Sequence, residues 1–343
     1  MQIGKIPNSL NTDIDKIPFL IHPFIAEEVQ QFGNLLSKEN SKINVEPTAS
    51  GRTVLWEDKY KNRWFIKLHF PLKLGRFNRE LNLFRWLATL ERSRELFSSL
   101  HLFPKTLAFF YDSGGTFYQS LQEDLNFGTI FRETFPRPSL NATGFIIPSF
   151  SLFAIKRNNK RKQSVLADFI EEFKTDDDQF LNLFIFPLID SYIFMTNKLG
   201  MIPEFNAQNL LYEYDTKQNK TRVIIRDIGD CFIDFGIRER EKLHTNFCSY
   251  KTLDPTIHTD VFQRRSFAFD FKLSNYILLP LIEEYSKIKG IDKSVIISKV
   301  KTYFTKEFPG YIDYFHSLKW YSYPNEEGVS RNTYVENDNP LFR

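Results

Sequence analysis

The chain has 343 residues, a net charge of +3, 42% hydrophobic residues and 36 phenylalanines. This length and composition predict a folded protein of two domains or one large one, and they exclude a disordered chain. The small net charge gives no reason to expect a nucleic-acid partner, and two cysteines are too few for a disulfide framework or a structural zinc site. A reducing, cytoplasmic location is expected.

No targeting or membrane segment is expected. The first eleven residues have neither a basic start nor an apolar run, so they do not resemble a signal peptide. The most apolar stretch, residues 180–195, contains Asn182, Pro187 and Asp190 and is shorter than the roughly 20 residues of a bilayer span. It predicts a buried core helix in a soluble protein.

The first half of the chain is predicted to be rich in strands. Residues 53–56 and 63–70 alternate as strands do, and apolar residues at helical spacing predict a helix over 78–100. Further strands are predicted at 107–111, 116–120, 129–133 and 145–155, with Gly114 and Gly115 forming a turn.

The second half is predicted to be mainly helical. The predicted helices cover 164–173, 179–199, 269–289 and 293–308, and a single hairpin lies at 210–233. A basic hydrophilic run at 156–162 predicts a linker. The expected fold is α+β, with a β-rich domain over residues 1–160 and a mainly helical domain over 161–343.

The hairpin carries a candidate magnesium site. Asn209 ends a loop that contains amides, and Asp227 follows the apolar run 223–225 after one arginine. Mg²⁺ prefers oxygen ligands and leaves part of its shell to phosphate oxygens, and protein kinases use an Asn and an Asp in this way. We expect Asn209 and Asp227 to bind the metal; an ordinary turn and strand end is the alternative.

The first half offers cationic and hydroxyl groups suited to phosphates. Ser50, Arg52 and Thr53 lie on one short loop before a strand, and Lys67 lies within the next strand. Arg132 ends a later strand. The alternatives are a polar turn, a lysine that reaches solvent at a sheet edge, and a surface pair of Arg132 with Glu133.

A kinase reading has one motif in its favour and two against it. Asp234-Phe235-Gly236 matches the kinase metal motif, but no glycine-rich loop precedes Lys67 and no His-Arg-Asp precedes Asn209. Asp227 is therefore the better metal ligand, and Asp234 stays a possible second one. Motifs of P-loop proteins, zinc proteases and α/β-hydrolases are absent from the sequence.

Taken in order, several short segments resemble the NRPS-independent siderophore (NIS) synthetases of the aerobactin-synthetase type. The matching segments are Ile17-Pro18, Ile21-His22-Pro23-Phe24, Pro47 to Thr53, Lys67 to Leu74, Arg79, Gly128 to Glu133, Ile147-Pro148, Leu152-Phe153-Ala154, Glu204 to Asn209, Arg226-Asp227 and Asn339-Pro340-Leu341.

The resemblance implies an ATP- and Mg²⁺-dependent ligase. Members activate a carboxylate, typically of citrate or a derivative, as an acyl adenylate, which an amine or hydroxyl then attacks. The nucleotide lies in a cleft between a β-rich fingers domain and a helical palm, an arrangement distantly similar to kinases. The implied nucleotide-binding residues are Ser50, Arg52, Thr53, Lys67, Arg79, Arg132, Gln208, Asn209 and Asp227, of which Lys67 and Arg79 act catalytically at the α-phosphate.

Three departures from the family pattern bear on catalysis. Asn206 occupies the position of the family's loop histidine, as a third implied catalytic residue, and an Asn carries no proton or positive charge near neutral pH. Gly75-Arg76 replaces a Thr-Ser pair, and only about twenty residues precede the His-Pro segment, where the family has a large region. A kinase-like phosphotransferase and a non-catalytic nucleotide-binding partner protein therefore stay open, as does assembly with a second copy or another subunit.

Overall fold

The computed structural model describes residues 1–10, 19–22, 43–48, 50–74, 77–120, 125–140, 144–155, 163–248, 251–322 and 333–343. The fold is α+β, as predicted. The chain forms two compact units, and the predicted domain boundary at residue 160 stays a prediction. Unit 1 contains Met1–His101, Phe110–Ser139 and Phe247–Tyr250, and unit 2 contains Leu102–Phe109, Leu140–Asn246 and Lys251–Arg343.

The strands are numbered in chain order. They are β1 (Gln2–Gly4), β2 (Glu46–Pro47), β3 (Thr53–Glu57), β4 (Arg63–Leu68), β5 (Phe70–Leu74), β6 (Phe77–Arg79), β7 (Leu107–Ser120), β8 (Leu125–Arg137), β9 (Gly144–Pro148), β10 (Met201–Ile202), β11 (Leu210–Asp215), β12 (Lys220–Ile225), β13 (Phe232–Asp234), β14 (Thr252–Leu253), β15 (Lys319–Ser322) and β16 (Thr333–Glu336).

The helices lie mostly in unit 2. They are Leu83–Ser98, Ser149–Leu152, Val165–Phe173, Asp177–Phe180 continuing through Leu181–Ile185 and Phe186–Leu199, Phe235–Arg240, Val261–Ser266 continuing through Phe267–Leu278 and Leu279–Lys289, Lys293–Glu307 and Tyr311–Phe315, with 3₁₀ turns at Asn8–Leu10 and Leu100–Leu102. The segments Leu181–Ile185 and Phe267–Leu278 have the wider π-helical turn.

Unit 1 is built on a sheet in which β2, β3, β4, β8 and the part of β7 after residue 109 are neighbours. Strand alternation sends adjacent residues of β8 to opposite faces. Phe131 packs with Ile66 and Trp56, whereas Ile130 packs with Trp86 of the helix Leu83–Ser98. Both faces of this sheet are therefore buried.

The first half differs from the prediction at three places. Gly114 and Gly115 form no turn but lie inside the continuous strand β7. Glycine is needed at position 115 because a Cβ there would come within 2.3 Å of the Thr129 carbonyl oxygen. The helix predicted over 78–100 begins at Leu83, after strand β6. The strand predicted over 145–155 ends at Pro148 and a short helix follows.

Unit 2 contains a second set of paired strands. Residues 107–109 of β7 pair in parallel with β12, which pairs antiparallel with β11, and β11 pairs antiparallel with β9. The predicted hairpin is thus correct for β11 and β12, whereas β13 pairs separately with β10 and β14. The linker predicted at 156–162 lies outside the described residues.

The helix predicted from the apolar stretch 180–195 is longer in the structure. The helical segment Asp177–Leu199 is long and apolar enough to cross a membrane by length and composition, and 67% of its most apolar window is buried inside the protein. Leu188, Tyr192 and Met195 are fully buried. The burial agrees with the predicted core helix.

A buried ion pair holds the last described segment in unit 2. The Arg343 guanidinium contacts both carboxylate oxygens of Asp270 (2.8–3.1 Å) and donates to the Ser317 carbonyl (2.9 Å). The side chains of Arg343 and Asp270 are only 7% and 4% exposed. Burial raises the pKa of Asp270, and Arg343 opposes that rise.

We expect Arg343→Met to lower the free energy of unfolding by about 3–5 kcal/mol at pH 7, because it leaves the Asp270 carboxylate buried without this partner. An acid whose pKa is raised in the folded state stabilises the protein when protonated and loses that contribution as the pH rises. The loss should therefore shrink as the pH falls toward 5. Urea unfolding at the two pH values measures it, and an equal loss at both would contradict the argument.

Candidate functional site

The hairpin of β11 and β12 positions the predicted metal ligands. Its register pairs Leu210 with Ile225, and beyond this pair the Arg226 amide donates to the Asn209 carbonyl (2.8 Å). Asp227 is the next residue. The structure therefore brings Asn209 and Asp227 to the same end of one hairpin, as the sequence predicts for adjacent strand ends.

Buried contacts on the hairpin fix that register. The Tyr212 hydroxyl donates to the Phe184 carbonyl in the long helix (2.6 Å), and Glu213 and Arg222, which are cross-strand partners, form an ion pair. A slip of one residue would move each of these side chains to the opposite face of the sheet.

Residues 203–209, here called the amide loop, are organised by Asn206. Its Oδ1 accepts the backbone N–H groups of Gln208 and Asn209 at 3.0 Å each, and its carbonyl also accepts the Asn209 N–H. This is the local side-chain cap that Asn forms in turns. Gln208 is exposed and Asn209 is half-buried, so the loop presents the two predicted nucleotide-binding amides at its end.

The start of the amide loop is anchored in unit 2. Phe205 is fully buried, with its ring 5.6 Å from that of Tyr192. The Glu204 carboxylate pairs with the Lys272 ammonium at 2.9 Å. Sequence reasoning missed Lys272, because 68 residues separate it from Glu204.

Asp227 is half-buried and its Oδ1 accepts the Gly229 N–H (3.4 Å). Across the part of the chain that the structure describes, no group of three or more His, Cys, Asp or Glu side chains is arranged to hold a metal ion. Mg²⁺ held between protein and phosphates needs only one or two carboxylates, so the oxygen donors of Asn209 and Asp227 fit that ion chemically. Their metal-binding role stays a prediction.

Asp234 is not suited to be a second metal ligand. Both of its carboxylate oxygens accept from Arg265 (2.7 and 3.0 Å), and one also caps the helix Phe235–Arg240 through the Ile237 N–H. Asp234 is fully buried. The structure gives this carboxylate another role, as a buried ion-pair partner and helix cap.

In unit 1 the predicted phosphate loop is held by Thr48. Its hydroxyl donates to the Thr53 carbonyl (2.6 Å) and accepts the Ser50 N–H (3.1 Å). Ser50 and Arg52 are half-buried. The imidazole of His22 hydrogen-bonds to the backbone of Gly51. Burial lowers the pKa of His22, and this hydrogen bond partly opposes the change. His22 belongs to the matched segment Ile21-His22-Pro23-Phe24 and is a further candidate site residue.

Three predicted site residues share one face of the unit 1 sheet. Lys67 pairs with Thr53 on one side and with Ile130 on the other, so alternation places Thr53, Lys67 and Arg132 on the same face. Lys67 is 6% exposed. For Arg79 the structure describes the backbone, which pairs with Phe70 in the hairpin of β5 and β6.

Arg132 is not part of a surface pair with Glu133. Its guanidinium makes a two-pronged ion pair with Asp112 (2.7 and 3.0 Å), and both side chains are at most 5% exposed. Glu133 instead accepts from Arg137 (2.6 Å). The surface-couple alternative is wrong, and a nucleotide-binding role for Arg132 stays a prediction.

No protein-family model matches the sequence, and no curated protein matches it. Solved structures with the same fold do match. The petrobactin biosynthesis protein AsbB from Bacillus anthracis str. Sterne matches with a TM-score of 0.70 and 13% identity, over 94% of this chain and 59% of that one.

Two aerobactin synthetases from a hypervirulent pathotype of Klebsiella pneumoniae also match. ATP-bound IucA has a TM-score of 0.70 at 13% identity, over 94% of this chain and 61% of its own, and IucC has 0.69 at 14%, over 97% and 61%. This chain thus spans about 60% of the length of these structures. The sequence resemblance is confirmed at the level of the fold, since these neighbours are NIS synthetases.

We expect Asn206→Ala to speed hydrogen exchange at the Gln208 amide about fivefold, because a lost capping acceptor costs about 1 kcal/mol, and to affect the Asn209 amide less, because the carbonyl of residue 206 still accepts it. Asn206→Asp keeps an acceptor oxygen and should retain slow exchange, which makes it the matched control. Exchange measured by NMR tests this. Unchanged protection in the alanine variant would show that Asn206 does not organise the loop.

Proposed function

We propose that this protein is an ATP-dependent ligase similar to the NIS synthetases. It adenylates a citrate-like carboxylate and condenses it with an amine or hydroxyl, as a step in siderophore biosynthesis in the cytoplasm. The observation that carries the proposal is the amide loop and hairpin end, with Asn209 beside Arg226-Asp227, in a chain with this fold. The ATP in one neighbour supports the choice of nucleotide.

The proposed reaction has two steps. A carboxylate oxygen attacks the α-phosphorus of ATP, the bond between the α- and β-phosphates breaks, and pyrophosphate leaves. The amine or hydroxyl then attacks the acyl carbon and AMP leaves. Charge grows on phosphate oxygens in the first step, where fixed cationic donors stabilise it.

The residues are proposed to divide this work. Ser50, Arg52 and Thr53 hold phosphates, and Lys67 and Arg79 stabilise charge at the α-phosphate. Gln208 and Asn209 line the nucleotide site. Bound Mg²⁺ would neutralise phosphate charge next to Asn209 and Asp227. A nucleotide cleft between a fingers-like and a palm-like lobe belongs to this proposal.

The second candidate is a nucleotide-binding partner protein without catalysis, and Asn206 is the observation in its favour. Asn206 stands at the position of the family's histidine and has no titratable group. Its side chain instead caps the amide loop. A kinase-like phosphotransferase has less support, because Asp234 of the kinase-like motif is buried against Arg265.

We expect Mg-ATP to stabilise the protein by roughly 2.7 kcal/mol at a hundredfold excess over its Kd, and Asp227→Ala to remove most of that gain. Thermal shift with and without Mg²⁺ measures both. Asp178→Ala is the control, because Asp178 is an exposed acid paired with Lys299 in unit 2. A shift that Asp227→Ala leaves intact would contradict the assigned role.

Turnover should yield AMP and pyrophosphate rather than ADP. A kinase-like transfer needs a carboxylate near the acceptor hydroxyl, a few residues before Asn209, and the acid there, Glu204, is paired with Lys272. Lys67→Met should lower the rate by about 10²–10³, as the loss of one transition-state donor does. Lys299→Met is its control. ADP with a phosphorylated product would replace the ligase by a phosphotransferase.

A further inference from the structure

Lys272 lies outside every segment that resembles the synthetase family, yet it contacts the amide loop. Its ammonium is 2.9 Å from the Glu204 carboxylate, and the two side chains are 15% and 22% exposed. Exposed ion pairs contribute little free energy because water screens them. This pair is mostly shielded from water, so it restrains Glu204 more strongly than a surface pair would.

The helix that carries Lys272 is itself fixed. Lys272 lies in the π-helical segment Phe267–Leu278, two residues after Asp270. Residues two apart on a helix do not face the same side. Arg343 therefore binds this segment through Asp270, while Glu204 binds it on another side through Lys272. Because Arg343 already holds this helix, the ion pair of Lys272 with Glu204 restrains the amide loop.

Further contacts connect Glu204 to the rest of the amide loop. Phe205, next to Glu204, is buried, and the Ala207 carbonyl accepts the Phe150 N–H (3.2 Å). Between them Asn206 holds the amides of Gln208 and Asn209. These contacts form an unbroken series from Glu204 to Gln208 and Asn209, through which the position of Glu204 can affect the two amides.

The surroundings of the pair argue for positioning rather than for a second ligand site. Glu204 and Lys272 line a pocket with room for about one water molecule, too little for a small-molecule ligand. Lys251, which also lines this pocket, is paired with Asp230 (2.8 Å).

We propose that Lys272 is a positioning residue for nucleotide binding, which it sets through Glu204 and the amide loop. This inference rests on the proposed function, because it takes Gln208 and Asn209 as nucleotide-binding groups. Lys272 touches no reacting atom. Its loss moves the loop and weakens the binding of ATP, while the chemical step on bound ATP is unaffected.

The test is a double-mutant cycle read by ATP affinity. Lys272→Met and Glu204→Gln should each raise the Kd for Mg-ATP about 5- to 30-fold, and the double variant should be no weaker than either single one, because the two act as a unit. The reversed pair, Glu204→Lys with Lys272→Glu, should recover most of the affinity. Lys299→Met, which removes an ion pair made by other helices, should leave the Kd unchanged.

Two further readouts separate positioning from general stability. Hydrogen exchange at the amides of 204–209 should quicken in Lys272→Met, whereas the β11–β12 amides stay protected. In turnover KM should rise with kcat unchanged. If Lys272→Met binds ATP like wild type, or the two single effects add, the inference is wrong. If wild type fails to bind ATP, the proposed function fails and the nucleotide-binding part of this inference fails with it. The exchange data then still decide whether Lys272 holds the amide loop.

Discussion

The antiparallel register of β11 and β12 is the constraint on which the candidate site depends. It pairs Leu210 with Ile225, so the first residues beyond the pairing are Asn209 and Arg226, with Asp227 one step further. Side chains alternate between faces, so a shift of one residue would invert the hairpin. The buried Tyr212 hydroxyl bond to the long helix makes such a shift costly, because it would leave buried polar groups unpaired.

Much of the fold follows from local pattern in the sequence. The alternation in β3 and β4, the helical spacing over 164–173 and the hairpin after Asn209 are all signals within a few residues, and the structure confirms these elements. The glycine pair at 114–115 misled the prediction, because glycine also marks places where another backbone approaches closely. That approach is a tertiary fact, set here by Thr129 of the neighbouring strand.

The candidate site divides in the same way. Asn206, Gln208 and Asn209 could be picked out because the loop is continuous in sequence. Their supports could not: Lys272 lies 68 residues from Glu204, and Arg265 lies 31 residues from Asp234. The sequence pointed to the acids Glu204 and Asp234. It gave no sign that each is paired with a cation distant in the chain. A carboxylate in a motif is thus a candidate ligand only until its partner is known, as the Asp234 expectation shows.

The amide loop is held by neutral hydrogen bonds at Asn206 and by one ion pair at Glu204, so its shape is set before any nucleotide arrives. Preorganised donors cost no reorganisation when a ligand binds, which favours affinity whether or not chemistry follows. The loop therefore does not by itself separate a ligase from a nucleotide-binding partner. That distinction falls on groups that act only in the transition state, and the residues proposed for that role are Lys67 and Arg79. Loss of a transition-state group lowers kcat, whereas loss of a loop anchor raises KM, so the two kinds of residue can be told apart in one set of kinetic measurements.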